Sequence, residues 1–207
     1  MAGVKMQVGD AESWRDTNGG EDSWFNGDYF QTFTGKHFYL LRPRPEDVCI
    51  EDIAHALART CRYGGHVTVD NYSVAEHCVL IAEYVLAHPE AYTRAHALEA
   101  LLHDAGEAYY GDIKRPIKHE PSIAAVIDPI FRRVDEVVRS VFHLPWTESE
   151  AIKALDRRIV RDEKAQVMRG PADGNNGLYP PLGVTIVGMF PSNAEDAFLR
   201  LYRELTK

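Results

Sequence analysis

A histidine followed directly by an aspartate is the part of this sequence best suited to metal chemistry. His103 and Asp104 come after the apolar run Ala100–Leu102, and His77 lies in the first turns of a predicted helix that opens at Ser73. Adjacent helical residues point about 100° apart, so His103 and Asp104 converge only on a ligand placed between their two directions. An ion held there, and closed from the other side by His77 and a further carboxylate, meets that condition. Mixed imidazole and carboxylate ligation leaves the identity of the metal open.

The residues after His103 add charges of both signs. Glu107 stands four residues beyond His103, which on one continuous helix is the same face, and Asp112 follows. The next segment contains three cations: Lys114, Arg115 and Lys118. Carboxylates around a metal, together with positive side chains, are the arrangement expected for hydrolysis of a phosphate ester. The alternatives are a structural hydrogen bond between histidine and aspartate and a solvated, charged loop after a helix.

Three stretches of the chain carry a resemblance to a known family. They are SVAEH at 73–77, ALLHDAGEAYYGDIKRPIK at 100–118 and ALDRRIVRDEK at 154–164. Together they resemble the HD-domain phosphohydrolases. The resembling branch contains bacterial 5′-deoxynucleotidases and phage deoxynucleoside-triphosphate triphosphohydrolases, including dATP-specific ones. The matching stretch covers about residues 29–168, which is most of the chain.

The resemblance implies one divalent metal ion, which could be Co, Mn, Zn, Mg or Fe. The family's ligands correspond to four residues of this chain: His77, His103, Asp104 and Asp156. Asp156 is favoured as the last ligand because it falls early in a helix after an apolar, lysine-containing lead-in, as the family's last ligand does. Asp162 is the less favoured choice for the same position.

The resemblance also implies roles around the ion. Glu107 takes an acid/base role, and Asp112 takes a role on the substrate side. Arg62 matches the family arginine that contacts the nucleotide, but the deoxynucleotidases carry Trp directly after it, where this chain has Tyr63. His66, in a Gly-rich loop, is either a phosphate contact or an ordinary loop histidine. The full set of expected substrate-binding residues is Arg62, Tyr63, His66, Lys114 and Arg115.

Three functions compete on this basis. The first is a triphosphohydrolase that releases triphosphate from a dNTP, with dATP as one candidate, and the number of nearby cations favours it. The second is a 5′-deoxynucleotidase that releases phosphate from a dNMP. The third is a non-catalytic nucleotide-binding protein on an HD fold. The complete set of candidate ligands, together with Glu107, argues against the third.

Apolar spacing and capping signals predict the elements that must hold these residues. Helices are expected around Ile50–Leu57, from a capping box at Ser73–Glu76, over 94–110, over 122–142 with a kink or break at Pro129, after a capping box at Thr147–Glu150, and from Ser192 to about Leu205. A hairpin with a turn at Thr34–Lys36 is expected within Gln31–Leu41, and a short extended piece at Val184–Val187. These elements predict an all-α fold, which the resemblance refines to an HD-domain helical bundle with a short N-terminal β-hairpin.

Composition limits the classes of partner. The chain has 207 residues, with 23 Lys or Arg against 31 Asp or Glu, so its formal net charge is −8. That charge argues against a protein that binds nucleic acid by neutralising phosphates over a broad surface. No run approaches the roughly 18 apolar residues of a membrane helix, so no membrane partner is expected. The three unclustered cysteines are typical of free thiols in a reducing cytosol. The resemblance implies that this is the cytoplasm of a bacterium or of a phage-infected host cell.

The expected organisation is one domain over residues 29–207, preceded by a flexible arm over residues 1–28. The arm is polar, rich in Gly, Asp and Asn, and has no sustained period. The expected partners are a deoxynucleotide substrate and, through the apolar segment 122–142, further copies of the chain in a homo-oligomer.

Overall fold

The computed structural model describes residues 29–170 and 179–207. The arm predicted over residues 1–28 lies outside the described residues, as does part of the Gly- and Pro-rich stretch that follows residue 170. The strands are β1 (Phe30–Gln31) and β2 (His37–Phe38). The α-helices are α1 (Ile50–Arg59), α2 (Val74–Ala87), α3 (Arg94–Leu102), α4 (Glu107–Tyr110), α5 (Arg115–Lys118), α6 (Pro121–Val141), α7 (Glu150–Val167) and α8 (Pro191–Leu205). The described chain is therefore mostly helical, which confirms the all-α prediction.

The predicted N-terminal hairpin is present, with shorter strands than the sequence suggested. β1 and β2 pair antiparallel, with Phe30 opposite Phe38. The backbone N–H of Thr32 donates to the carbonyl of Lys36 at 2.8 Å and closes the turn. Phe38 is fully buried and stacks on Tyr109 of α4, with ring centroids 3.8 Å apart. This contact fastens the hairpin to the helices beneath it.

Helix α2 lies at the centre of the fold. Helices α1, α3 and α8 all pack against it. Its first nine residues, from Val74 to Ala82, are all buried. A helix that is apolar on most of its faces is stable only when other elements surround it. The consequence for function is that His77, in the first turns of α2, is held inside the core.

The helix predicted over 94–110 is interrupted, so that prediction is wrong in the middle. α3 ends at Leu102, and α4 begins at Glu107. Between them the backbone tightens, because Ala105 N–H donates to the Leu102 carbonyl at 3.1 Å and Glu107 N–H donates to the Asp104 carbonyl at 2.9 Å. These are bonds over three residues rather than four. The helical same-face argument that placed Glu107 next to His103 therefore does not hold.

The first residues of α7 and α8 differ from the prediction. Ser149, and not Thr147, caps α7, since its hydroxyl accepts a hydrogen bond from Ile152 N–H at 3.4 Å. α8 begins at Pro191 after Phe190, and not at a Ser192 cap. A proline is favoured at the first helical position because its fixed φ suits the helix and its missing N–H is not needed there.

The capping box predicted at Ser73 is half correct. The Ser73 hydroxyl accepts a hydrogen bond from Glu76 N–H at 3.1 Å, as an N-cap residue should. The Glu76 carboxylate does not return to the Ser73 backbone. Instead it accepts hydrogen bonds from the backbone of residues 187–189. The Glu76 carboxylate therefore binds a segment that is distant in the sequence, instead of completing the local capping box.

That segment, residues 179–190, is called here the strap. The extended piece predicted at Val184–Val187 forms no β-strand in the described chain, because the strap pairs with side chains rather than with another strand. Asp162 accepts from Leu182 N–H and Gly183 N–H at 2.7 and 3.0 Å. Gln166 accepts from Ile186 N–H at 3.0 Å. The strap thus links α7 to the start of α2.

Helix α6 runs unbroken from Pro121 to Val141, so no break occurs at Pro129. Its second half is anchored by buried Val134 and Val138, whereas Ile123 and Val126 in its first half are exposed. Within the described ranges, no helix combines the length and hydropathy needed to cross a membrane.

Candidate metal centre

Three predicted ligands converge where α2 meets the turn after α3. Nε2 of His77 lies 3.3 Å from Nε2 of His103. Oδ2 of Asp104 lies 3.3 Å from His103 Nε2 and 3.8 Å from His77 Nε2. One ligand atom from each residue lies within 4.8 Å of the other two, a grouping that could hold a metal ion. α3 ends at Leu102, and the turn at 103–106 follows it directly. This turn holds His103 and Asp104 next to His77, in the N-terminal part of α2.

The two aspartates considered for the last ligand position lie in different surroundings. Asp156 of α7 brings Oδ1 to 3.2 Å from His77 Nε2, and 40% of its side chain is exposed. Asp162 directs both carboxylate oxygens to the strap, where they accept from Leu182 N–H and Gly183 N–H. The structure therefore brings Asp156 to His77 and directs Asp162 to the strap.

The donor set fits a divalent transition metal. Ions of this kind bind nitrogen and oxygen at about 2.0–2.2 Å, so neighbouring ligand atoms around one ion lie roughly 3 Å apart. His103 Nδ1 lies 2.7 Å from the carbonyl oxygen of Ala100. Because a carbonyl only accepts, Nδ1 carries the proton, so the neutral imidazole would present the lone pair of Nε2 to an ion in the cluster. Imidazole and carboxylate together suit Zn, Co, Mn or Fe, and carboxylate also suits Mg.

Glu107 lies beside this cluster in an unusual environment. It begins α4, only 9% of it is exposed, and its Oε2 has no hydrogen-bond partner among the described residues. Burial, reinforced by the nearby carboxylates of Asp104 and Asp112, raises the pKa of Glu107 to about 9. This environment therefore favours the protonated form of the Glu107 carboxyl group. Asp112, partly buried, lies close enough to act on it electrostatically.

Arg62 and Tyr63, predicted to contact substrate, turn inward instead of standing free. Nη1 of Arg62 lies 3.6 Å from Oδ2 of Asp104, and its Nε lies 3.0 Å from Oε1 of Glu163. The Tyr63 hydroxyl donates to Oε2 of Glu163. Tyr63 has a left-handed backbone with φ of 57°, which directs its ring back towards the arginine. Both residues border the metal cluster, and the charge of Arg62 is already balanced by two carboxylates.

The remaining predicted substrate residues lie at the surface. Lys114 is exposed, and its ammonium reaches the turn that follows Arg62: a Cβ added to Gly64 would lie 2.7 Å from Lys114 Nζ. His66 and Arg115 are exposed. In the part of the chain that the structure describes, no hydrogen bond or ion pair joins either of them to the metal cluster. Of Lys114, His66 and Arg115, only Lys114 therefore lies at the edge of the metal cluster.

Sequence reasoning missed several residues near the cluster. Glu163 is fully buried and contacts His77 Nδ1 at 2.8 Å. Glu148 precedes α7; burial raises its pKa, and the carboxylates of Asp156 and Asp104 contribute. For Glu163 a signal was available, since it follows Ile159 by four residues and so continues the apolar stripe of α7 with a charge. No comparable signal marks Glu148.

Comparison with known proteins identifies the family of the chain. No family model matches it. It is 33% identical over 190 residues to the uncharacterized protein YfdR of Escherichia coli strain K12, an alignment covering 86% of this chain and 96% of YfdR. It is also 38% identical over 144 residues to the uncharacterized protein RCAP_rcc00048 of Rhodobacter capsulatus, covering 65% of this chain and 70% of that protein. A mostly helical protein with a histidine–carboxylate cluster, this chain belongs to the family that includes YfdR.

Proposed function

We propose that this protein is a divalent-metal-dependent phosphohydrolase with an HD-type helical bundle, acting on the 5′ phosphates of deoxynucleotides. The observation that carries the proposal is the convergence of His77, His103 and Asp104, with Asp156 3.2 Å from His77. A buried acid, Glu107, stands beside this cluster. Two imidazoles and two carboxylates from separate chain segments, with a protonated acid next to them, are more than a structural hydrogen bond requires.

The four converging side chains would hold one divalent ion, and the donors suit Co, Mn, Zn, Mg or Fe. Such an ion supplies polarisation of a phosphoryl oxygen and a water molecule of lowered pKa. His103 is oriented for this role by the hydrogen bond from Nδ1 to the Ala100 carbonyl, so that the neutral ring would bind the ion through Nε2. Asp156 is the most exposed of the four ligands, with 40% of its side chain open to solvent, so the substrate enters on its side.

Glu107 supplies the proton transfers. Burial and the nearby carboxylates raise its pKa and favour the protonated carboxyl group, which can donate a proton from Oε2 to a leaving oxygen. Once ionised, the same oxygen can accept a proton from the attacking water. The neighbouring Asp112 disfavours the ionised form and keeps the proton available for the next turnover. Glu107 is thus the proposed catalytic residue, and Asp112 supports it from the substrate side.

The cations at the edge of the cluster favour a polyphosphate. Lys114 lies against the turn at Gly64, and Lys118 lies near enough to Glu107 to lower its pKa electrostatically. Arg62, which pairs with two carboxylates, and Arg115, which is exposed, bring the number of cations in this region of the sequence above what one phosphate requires. We therefore propose a dNTP, with dATP as one candidate, as the first substrate. Tyr63 and His66 would border the nucleotide on the same side.

A dNMP is the second candidate, and one observation favours it. The guanidinium of Arg62 already faces Glu163 and Asp104, at 3.0 and 3.6 Å. Lys114 then remains as the cation that the structure places directly at the turn following Arg62. One ammonium group is sufficient for a monophosphate. In that case the protein would release inorganic phosphate as a 5′-deoxynucleotidase.

The function is tested by incubating the purified, chelator-treated protein with Mn²⁺ or Co²⁺ and each dNTP, dNMP and NTP. Chromatography of the products separates triphosphate release from phosphate release. We expect metal-dependent hydrolysis of at least one deoxynucleotide, and none by an Asp104→Ala variant prepared in parallel. A wild-type protein that binds metal and nucleotide but turns over none of these substrates would contradict the proposal and favour a binding protein.

A further inference from the structure

We propose that Glu163 is a positioning residue of the metal centre, which fixes the tautomer of His77 and holds Arg62 beside Asp104. This inference rests on the metal site proposed above and adds a residue that is not one of the ligands. Glu163 lies on α7 and is fully buried.

One side of the Glu163 carboxylate controls His77. Oε1 lies 2.8 Å from Nδ1 of His77 and 2.8 Å from the hydroxyl of Tyr72. An ionised carboxylate can only accept hydrogen bonds, so His77 Nδ1 carries the proton. In the neutral ring, Nε2 of His77 is then the atom with a free lone pair. That atom is the one that faces Nε2 of His103 at 3.3 Å and Oδ1 of Asp156 at 3.2 Å.

The carboxylate also holds the arginine. Nε of Arg62 lies 3.0 Å from Oε1 of Glu163, and Nη2 donates to Oε2 at 3.3 Å. The third nitrogen, Nη1, lies 3.6 Å from Oδ2 of Asp104. A single guanidinium therefore spans from Glu163 to a proposed metal ligand. The position of Asp104 depends on a charge that Glu163 holds in place.

Hydrogen bonds and charge keep Glu163 ionised in the core. The hydroxyls of Tyr63 and Tyr72 both donate to it, and Arg62 supplies the opposite charge. A buried carboxylate needs such partners because isolated burial of a charge is very unfavourable. A residue needed only for packing would not require the charge. Outer carboxylates that bind a ligating histidine orient the ring and make it a better ligand.

The test compares Glu163→Gln with Glu150→Gln. Glu150 is on the same helix, but it is exposed and pairs with Lys153 at 2.9 Å. Calorimetric titration with Mn²⁺ alone should show binding weakened roughly 10–100-fold in Glu163→Gln, with the Glu150→Gln protein like wild type. Circular dichroism of each variant reports whether the fold is kept. Unchanged Mn²⁺ affinity in a folded Glu163→Gln protein would overturn the positioning role.

A second measurement needs no variant at position 163. Nitrogen-15 NMR of the histidine rings in the Zn²⁺-loaded wild-type protein should show zinc on Nε2 of His77 and a retained proton on Nδ1. The signal is assigned from its loss in His77→Gln. Zinc on Nδ1 of His77 would overturn the inference while leaving the metal site intact. A wild-type protein that binds neither Mn²⁺ nor Zn²⁺ would instead overturn the proposed function, so the two failures are distinguishable.

Discussion

The carboxylate of Asp156 on α7 lies 3.2 Å from Nε2 of His77 on α2. Further along the same helix, Asp162 directs its carboxylate to two backbone N–H groups of the strap. The sequence offered these two aspartates as alternatives for one ligand position, but they have different partners in the structure. One faces the metal cluster, and the other holds the strap against α7.

Because Asp156 and Asp162 have different partners, alanine substitutions at the two positions should have different effects. Asp156→Ala should lose Mn²⁺ binding in calorimetry, because one carboxylate ligand is removed. Asp162→Ala should keep Mn²⁺ binding but lower the free energy of unfolding by roughly 1–3 kcal/mol, since the buried N–H of Leu182 and the partly buried N–H of Gly183 lose their acceptor. Urea unfolding measures the second effect. Loss of metal binding in Asp162→Ala alone would move the ligand to that residue.

Glu107→Gln separates proton transfer from binding. The substitution keeps the size of the side chain but cannot take up or release a proton near neutral pH. We expect kcat on the best deoxynucleotide to fall about 10²–10⁴-fold, with Mn²⁺ affinity close to wild type. Steady-state kinetics and metal titration on the same preparation measure both. A kcat within a few-fold of wild type would mean that another residue transfers the proton.

The strap should depend on Glu76 more than on any exposed carboxylate of α2. Glu76 accepts from Val187 and Gly188 N–H at 3.1 Å each, and from Met189 N–H at 2.7 Å. In Glu76→Gln an amide donor must face one of these N–H donors and the charge is lost. The free energy of unfolding in urea should fall by about 2–4 kcal/mol. Glu83→Gln, exposed on the same helix, is the control and should stay near wild type; equal effects would contradict the role of Glu76.

The burial of Asp135 should make the free energy of unfolding depend on pH. Burial raises its pKa to about 6, from the usual 3.8, despite the hydrogen bond from Tyr110 at 2.9 Å. Because the folded chain disfavours the ionised form, the associated stability is fully present below about pH 3.8 and is lost as the pH rises through about 6. Asp135→Asn carries no charge at either pH and should avoid this loss.

The measurement is urea unfolding of wild type and Asp135→Asn at about pH 4 and about pH 8. The advantage of the variant should grow by on the order of 2 kcal/mol between the two conditions. Asp128→Asn, at an exposed position on the same helix, should show no such growth. Parallel stability curves for Asp135→Asn and wild type would contradict the burial effect.

Sequence patterns predicted the helical framework because most helices carry their own apolar stripe or cap. α6 follows from its repeated apolar residues, and the start of α2 follows from Ser73. The residue pair His103 and Asp104 marked the region where the structure brings candidate ligands together. These features are local, or depend on residue types that are rare in a helical core.

Other features depend on tertiary contacts and could not be read from local patterns. The break between α3 and α4 occurs at a site where an added Cβ on Gly106 would lie 2.0 Å from Oδ1 of Asp135, a residue of α6. Glu76 has the spacing of a capping box, but the strap offers it three N–H donors. Glu163 meets Arg62 and His77 only after α7 packs beside α2. Each of these features involves residues that are distant in the sequence, and at Glu76 a distant segment replaced the local hydrogen bond that the sequence suggested.

The metal centre is tested most directly by anomalous X-ray diffraction from wild-type crystals soaked with Mn²⁺. We predict one anomalous peak at about 2.0–2.3 Å from nitrogen or oxygen atoms of four residues: His77, His103, Asp104 and Asp156. Crystals of Asp104→Ala soaked in the same way should lack it. A wild-type crystal with no peak between these residues, or with Mn²⁺ bound only elsewhere, would contradict the metal centre.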